Sequence, residues 1–207
     1  MPNNQYQTDF LTAQSATLEL DDACLDFQSG FYSQHESLDL YKYLLDHIDW
    51  QQETIKVYGK SHLTPRLSCW MGDKSSIYGY SHTVMQPVPW DNKVLRIKQK
   101  IEGIANRSFN SVLINYYRDG KDSNGWHSDD EPELGLKPVI ASLSLGAPRD
   151  FHLRHKANKK LIHKMSLTNG SLLIMSGTTQ QYWQHHIPKR AKAEGRINLT
   201  FRTIINH

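Results

Sequence analysis

Val112-Leu-Ile-Asn-Tyr-Tyr-Arg-Asp-Gly-Lys-Asp-Ser-Asn-Gly-Trp-His-Ser-Asp-Asp-Glu131 is the stretch on which the reading of this chain turns. It opens as a β-branched and aromatic run, passes through a polar Asp/Gly/Asn turn, and delivers His127-Ser-Asp129. In an extended segment residues i and i+2 share a face. His127 and Asp129 can therefore present an imidazole nitrogen and a carboxylate oxygen to one point. With one more distant histidine, such a pair makes the two-His-one-carboxylate facial triad that leaves positions open on a non-haem Fe(II). A strand remote in sequence but adjacent in space must supply that histidine.

Trp183-Gln-His185-His186-Ile-Pro188 offers two candidates, and strand alternation lets only one of the adjacent pair point inward. The chain holds 11 histidines, so a His-x-Asp pattern alone carries little weight. The last strand adds more. In Arg196-Ile-Asn-Leu-Thr-Phe-Arg202, Ile197, Leu199 and Phe201 take one face, and Arg196, Asn198, Thr200 and Arg202 the other. Two arginines on a buried strand face need anionic partners, because an unpaired buried charge is costly. Their Cα atoms lie roughly 20 Å apart. The pair can bracket a small dicarboxylate, or one can hold the diacid while the other pairs with Asp129. The planar guanidinium fork suits a carboxylate met by two parallel hydrogen bonds.

Outward from this centre, short strands are expected over 111–118, 138–145, 150–155, 160–167, 171–175, 182–187 and 196–205. Gly146-Ala-Pro148 and Asn169-Gly170 are the clearest turns between them. This spacing suits a double-sheet all-β domain. Upstream, Ser33-Gln-His-Glu36 is a capping box ahead of Leu38, Tyr41, Leu44, Leu45 and Ile48 at helical spacing, so a helix is expected over 34–48. A second helix begins after Asp91 as N-cap, with Val94, Ile97, Ile101 and Ile104 on one face. Residues 1 to about 20 read either as a polar arm or as a first strand on the sheet.

Between the helices, 55–90 is rich in Tyr, Trp, Gly and Pro and contains Tyr58-Gly59-Lys60, Arg66 and Tyr78-Gly79-Tyr80. Aromatics interleaved with cations suit stacked bases and held phosphates. They suit an ordinary aromatic hairpin equally well. The run from Arg149 to Lys164 adds Arg154, Lys156, Lys159 and Lys160 against a single acid, Asp150, and is a candidate phosphate grip.

A chain of 207 residues with net charge +3 fits one domain and does not announce a nucleic-acid binder by charge alone. No apolar run of roughly eighteen residues is present, so no membrane partner is expected. The start lacks the basic and apolar regions of a secretory signal. The two cysteines, Cys24 and Cys69, form no CxxC pattern, which fits a reducing intracellular compartment. A monomer is the default expectation.

Together, His127-Ser-Asp129-Asp130-Glu131, Ile140-Ala-Ser-Leu-Ser-Leu-Gly146, Gly170-Ser-Leu-Leu-Ile-Met175, Trp183-Gln-His185 and Arg196 to Arg202 resemble the AlkB family of Fe(II)/2-oxoglutarate-dependent nucleic acid dealkylating dioxygenases. The resemblance runs from about Val57 to the C-terminus. It implies a mainly β fold with flanking helices: a double-stranded β-helix (jelly roll) core over about 111–207, a nucleotide-recognition lid over about 55–90 and an N-terminal arm over about 1–30. It makes His127, Asp129 and His185 the iron ligands, and Asn115, Tyr117, Arg196, Thr200 and Arg202 the 2-oxoglutarate contacts. It assigns Arg66, Tyr78, Gly79, Tyr80, Asp130 and Glu131 to the flipped base, and Tyr58, Gly59 and Lys60 to a finger that fills the vacated stack. The implied cofactors are Fe(II) and 2-oxoglutarate with O2. The implied partner is alkylated DNA, with RNA as a second class, in a bacterial cytoplasm or a eukaryotic nucleus. The finger segment is similar to the duplex-acting branch, whereas Trp126 to Pro132 and Trp183 to Lys189 are similar to the branch that prefers single strands and RNA. Two rival readings keep parts of this pattern: a 2-oxoglutarate oxygenase acting on proteins or small molecules, and a non-catalytic reader of damaged bases. Hydrolytic zinc chemistry on the same ligands would leave Arg196 and Arg202 without a purpose.

Overall fold

The computed structural model describes residues 15–205 except 58, 77, 81 and 82, and excludes the side chains of 56, 57, 78–80 and 83–85. The N-terminal part runs β1 (Ser15–Leu20), β2 (Ala23–Gln28), α1 (Gln34–His47), β3 (Thr54–Val57), β4 (Lys60–Leu63), β5 (Leu67–Gly72), β6 (Tyr78–Tyr80), β7 (Thr83–Met85) and α2 (Asn92–Ala105). It continues with β8 (Ser111–Tyr117), β9 (Asn124–His127), β10 (Ile140–Gly146), β11 (Arg149–His155), β12 (Ile162–Leu167) and β13 (Leu172–Ser176). A short helix α3 (Thr179–Tyr182) then leads into β14 (Trp183–Ile187), and β15 (Arg196–Arg202) closes the order.

Two sheets face each other. The larger has seven strands in the order β1-β2-β13-β10-β15-β8-β5, the smaller four in the order β12-β11-β14-β9. Every pairing between these strands is antiparallel. The stretch read as an N-terminal arm supplies two strands of the larger sheet from residue 15 onward, through β2 pairing with β13. Of the segment expected as a lid, two small ribbons, β3-β4 and β6-β7, stand apart, whereas β5 between them joins the larger sheet as an edge strand.

Strand alternation explains how the larger sheet is buried on both faces. Val112, Ile114, Ala141, Leu143, Leu145, Ile197, Leu199 and Phe201 pack with Leu44, Val94, Ile97 and Ile101 of the two long helices. The opposite faces of the same strands, with Tyr117, Ile140, Leu173 and Met175, meet Phe151, Leu153, Trp183 and Ile187 of the smaller sheet. All seven residues of β15 are consequently buried. In β11 and β14, burial alternates strictly, as in a sheet with one solvated face.

The helix signals act as read. Ser33 accepts the Glu36 N–H while the Glu36 carboxylate accepts the Ser33 N–H, and Asp91 accepts the N–H groups of Lys93 and Val94. The buried stripe of α1 is rotated from the expected one, because Ser37 is fully buried while Leu38 is 47% exposed. The cause is Gly170: at φ +73°, it packs so closely that a Cβ there would lie 2.4 Å from Ser37 Oγ and Tyr32 O. Only a small side chain fits at that point of the helix. Ile104, near the other end of α2, is likewise 49% exposed.

Candidate active site

The cavity between the sheets is walled by residues from both. β14 and β9 pair so that His185 lies opposite His127, and a register shift follows before Ile187 meets Asn124. Irregularities of this kind re-aim side chains at a sheet edge. His127 Nδ1–H donates to Gly125 O at 2.8 Å, leaving Nε2 with its lone pair toward the cavity. The Asn124 amide donates to that Nε2 at 3.3 Å. The His127 and His185 rings stand edge to face at 4.2 Å, and His185 Nε2 lies 3.9 Å from Asp129 Oδ2. One ligand atom from each of His127, Asp129 and His185 lies within 4.8 Å of the others. His186, the other candidate, points out of the cavity, where it stacks on Trp126 at 3.8 Å and meets His152 at 3.0 Å.

Electrostatics suit metal ligation. Burial pushes the His185 imidazole down to about 3, with His127 adding to the effect, so the ring is neutral and its lone pair available. Burial alone would raise the Asp129 carboxyl. The Arg202 guanidinium, followed by His185 and His127, outweighs it and holds Asp129 below its usual range. The Arg202–Asp129 contact is 2.8 Å and buried on both sides.

The larger sheet furnishes the other half. Arg196 is 1% exposed and donates from Nη2 to Ser144 Oγ at 2.9 Å. Its Nε and Nη1 are buried and make no hydrogen bond of good geometry among the described residues, with the Tyr117 phenol the nearby polar group. Burial lowers this guanidinium to about 10, with the nearby Tyr117 phenol opposing the shift, so it stays charged at neutral pH. Asn198 donates to Ser142 Oγ at 2.8 Å and to Leu143 O at 3.0 Å, and accepts from Thr200 Oγ1 at 3.0 Å. Asn115 accepts from Arg66 Nε at 2.8 Å. Asn115, Tyr117, Arg196, Asn198, Thr200 and Arg202 line one cavity with His127, Asp129 and His185.

That donor set fits a first-row divalent ion such as Fe(II), with positions left for other ligands. The unsatisfied N–H groups of Arg196 fit the distal carboxylate of a small diacid in the same space. No sequence motif marks Ser144, Ser142 or Asn198 as contacts. Their signal was nevertheless present as polar residues alternating with Leu and Ile in β10 and β15.

The substrate-facing residues divide. Glu131 lines the cavity, and its Oε2 is buried without a partner among the described residues. Asp130, expected beside it, instead turns outward: with Asp129 facing in, its neighbour faces away, and it pairs with Lys156 at 2.7 Å. Arg66 sits in the cavity wall, 7% exposed, rather than on an outlying ribbon. Gly59, at φ +77°, and Lys60 lie at the exposed β3-β4 turn. Tyr58 falls outside the described residues, as do the side chains of Tyr78 and Tyr80, although Tyr78-Gly79-Tyr80 forms β6.

The basic run needs two corrections. Arg149 is fully buried and donates to the carbonyls of Asp119, Asp122 and Pro188, so it pins loops and cannot touch a phosphate. Lys156 is bound to Asp130 and to Gln180 O. Arg154 lies over the Trp126 ring at 4.2 Å on the outer face of the smaller sheet. Gln180 and Glu53, which also belong to the site's surroundings, carried no local motif in the sequence.

A jelly roll whose smaller sheet offers two imidazoles beside a carboxylate, and whose larger sheet offers a half-bonded buried arginine, fits a mononuclear facial-triad oxygenase site. A sequence profile of the 2OG-Fe(II) oxygenase superfamily matches residues 25–202. Alpha-ketoglutarate-dependent dioxygenase alkB homolog 3 of Homo sapiens is 43% identical over 185 residues, covering 84% of this chain and 64% of the relative. DNA oxidative demethylase ALKBH2 of Homo sapiens is 40% identical over 159 residues, covering 73% of this chain and 61% of the relative. Among solved structures, OsALKBH1 superposes with a TM-score of 0.65 at 17% identity, covering 91% of this chain and 100% of that one. The chain belongs to the 2OG-Fe(II) oxygenase superfamily, whose metal and co-substrate are Fe(II) and 2-oxoglutarate, and its AlkB resemblance extends across most of its length. It spans less than two thirds of the length of these two curated relatives.

Proposed function

We propose that this chain removes N-linked methyl groups from nucleic acid bases, with 1-methyladenine and 3-methylcytosine in DNA as substrates and RNA as a second class. The observation that carries this reading is one cavity that joins His127, Asp129 and His185 to Arg196 on one side and to Glu131 and Arg66 on the other. When bound, Fe(II) with 2-oxoglutarate and O2 supplies the oxidation that hydroxylates the methyl group, which then leaves as formaldehyde, while 2-oxoglutarate becomes succinate and CO2.

The chain's own work is placement. His127, Asp129 and His185 hold the metal. Arg202 keeps Asp129 ionised and oriented. Arg196, aligned by Ser144, takes the distal carboxylate of 2-oxoglutarate, and Asn115, Tyr117 and Thr200 shape the space between. Glu131 presents an unpartnered carboxylate oxygen to a base that methylation on its pairing edge has made cationic. Such a base pairs poorly and is cheaper to extrude from a duplex. Tyr58, Gly59 and Lys60 fill the stack behind it, and Tyr78, Gly79 and Tyr80 cover the base. Lys159, Lys160 and Lys164 supply the phosphate contact left to the basic run. The residues form a single domain, with the β3-β4 and β6-β7 ribbons as the lid. It acts as a monomer in an intracellular compartment, and no described helix is long and apolar enough to cross a membrane.

Formaldehyde release tests the proposal on oligonucleotides carrying 1-methyladenine, 3-methylcytosine or no lesion, as DNA and RNA, single-stranded and duplex. Release from methylated strands that requires 2-oxoglutarate is the expected result. Succinate without formaldehyde from any strand would move the substrate to proteins or small molecules.

A further inference from the structure

Asp129 reaches the site from a segment that no sheet holds. β9 ends at His127, and the chain from 128 to 131 makes no strand pairing. The Asp129 residue is 3% exposed, and a buried amide without a partner is costly. Its N–H donates to Gln180 Oε1 at 2.9 Å. Gln180 is itself 1% exposed, and its Nε2 donates to Met175 Sδ at 3.4 Å, so both ends of the amide are occupied. The Asp129 N–H can only donate, which fixes the oxygen end of the Gln180 amide toward it.

The same short helix governs the other ligand. Gln180 lies in α3, which runs without a break into β14 and His185. Three further bonds tie the Asp129 segment to this junction. Ser128 Oγ donates to Trp183 O at 2.9 Å, and Lys156 Nζ bridges Asp130 Oδ2 at 2.7 Å and Gln180 O at 2.9 Å. Arg202 fixes the carboxylate end of Asp129, while Gln180 fixes its backbone. The carboxylate is thus held from both sides, against the element that carries His185.

We propose that Gln180 is a positioning residue of the metal site, setting Asp129 at ligand distance from His185 through the Asp129 N–H. The inference rests on reading His127, Asp129 and His185 as the metal ligands. Gln180 is not among the residues lining the cavity and acts through the Asp129 N–H. Partners of this kind typically alter metal affinity about 10–100-fold when removed.

Mn(II), a redox-inert stand-in for Fe(II), gives a readout independent of turnover. Its binding to the metal-free full chain is measured by calorimetry for the unaltered protein, Asp129→Ala, Gln180→Met and Gln180→Glu. Gln180→Met keeps the side chain's length and deletes the acceptor, and is expected to weaken Mn(II) binding about 10–100-fold. Gln180→Glu keeps an oxygen at the same reach and is expected to bind Mn(II) more tightly than Gln180→Met. Unchanged affinity in Gln180→Met, or equal weakening in both variants, would overturn the proposal. Should Gln180→Met fail to fold, amide exchange at Asp129 in the unaltered chain decides: slow exchange supports the bond, and exchange at the rate of an open loop removes it. Asp129→Ala separates the two readings, because Mn(II) binding that survives it would refute the ligand assignment itself.

Discussion

The two sheets differ in what lies behind them. The larger is buried on both faces, with α1 and α2 on one side and the cavity on the other; the smaller alternates buried and partly exposed residues and turns one face to solvent. On the larger sheet, Arg196, Asn198, Thr200 and Arg202 sit on a fully packed strand whose neighbours cannot give, a suitable wall for orienting a small diacid. On the smaller, His127 lies on an edge strand of four residues and Asp129 just beyond it, so these two candidate ligands depend on side-chain braces, while His185 sits on β14, paired on both sides. Rigidity on one side comes from packing and on the other from hydrogen bonds. The Arg202–Asp129 pair crosses between them.

Substitutions can break or sharpen this contrast. The largest effect is expected from Asp129→Ala, which should abolish measurable Mn(II) binding in calorimetry and with it all turnover; retained binding would separate the smaller sheet from the metal. Arg202→Met follows. It leaves a buried carboxylate uncompensated, and breaking such a pair costs about 3–5 kcal/mol, readable as a lower urea midpoint of the metal-free chain. An unchanged midpoint would mean that the crossing pair holds nothing together. Arg196→Met should spare Mn(II) binding and weaken 2-oxoglutarate about 10–100-fold, the loss of one to two charge-assisted hydrogen bonds. Ile162→Ser, on the solvated face of the smaller sheet and 51% exposed, should change stability by less than about 0.5 kcal/mol. A large loss there would mean that this face is covered after all.

The contrast also has a pH signature. The folded value of His185, about 3, lies below the ordinary 6.5, so between the two the unfolded chain binds more protons. The stability contributed by the neutral ring is therefore full above about pH 6.5 and is lost as pH falls toward 3. Asp129, held below its usual value, loses its contribution in the same direction at lower pH. Urea midpoints of the metal-free protein at pH 7 and pH 5 should draw closer together in His185→Gln; an unaltered gap would place the titration elsewhere.

Strands from 111 onward were legible because turns and alternation coincide there. The last ended early: 196–205 was expected, but Asn110 captures both the N–H and the carbonyl of Ile204 and draws the chain out of the sheet. β9 was read as a turn because its Asn and Gly residues carry no strand signal, and only pairing with β14 extends it. The arginine face of β15 was visible from period two alone, whereas Gln180 was invisible because its acceptor serves a backbone N–H 51 residues away. Asp130 went wrong for a simple reason. The family resemblance gives it a role beside Glu131, but beyond the end of β9 the chain bends at Asp129 and the Asp130 carboxylate turns to Lys156. Arg149 misled similarly, since a cation in a basic run reads as surface until three carbonyls are seen converging on it.

The most direct test of the two-sheet account is sequential calorimetry, Mn(II) first and 2-oxoglutarate second, on the unaltered chain, Asp129→Ala and Arg196→Met. The account predicts that Arg196→Met loses 2-oxoglutarate affinity with Mn(II) affinity intact, while Asp129→Ala loses the metal. Mn(II) and 2-oxoglutarate affinities that fall together in Arg196→Met, or 2-oxoglutarate binding that does not change there, would contradict the division between the sheets.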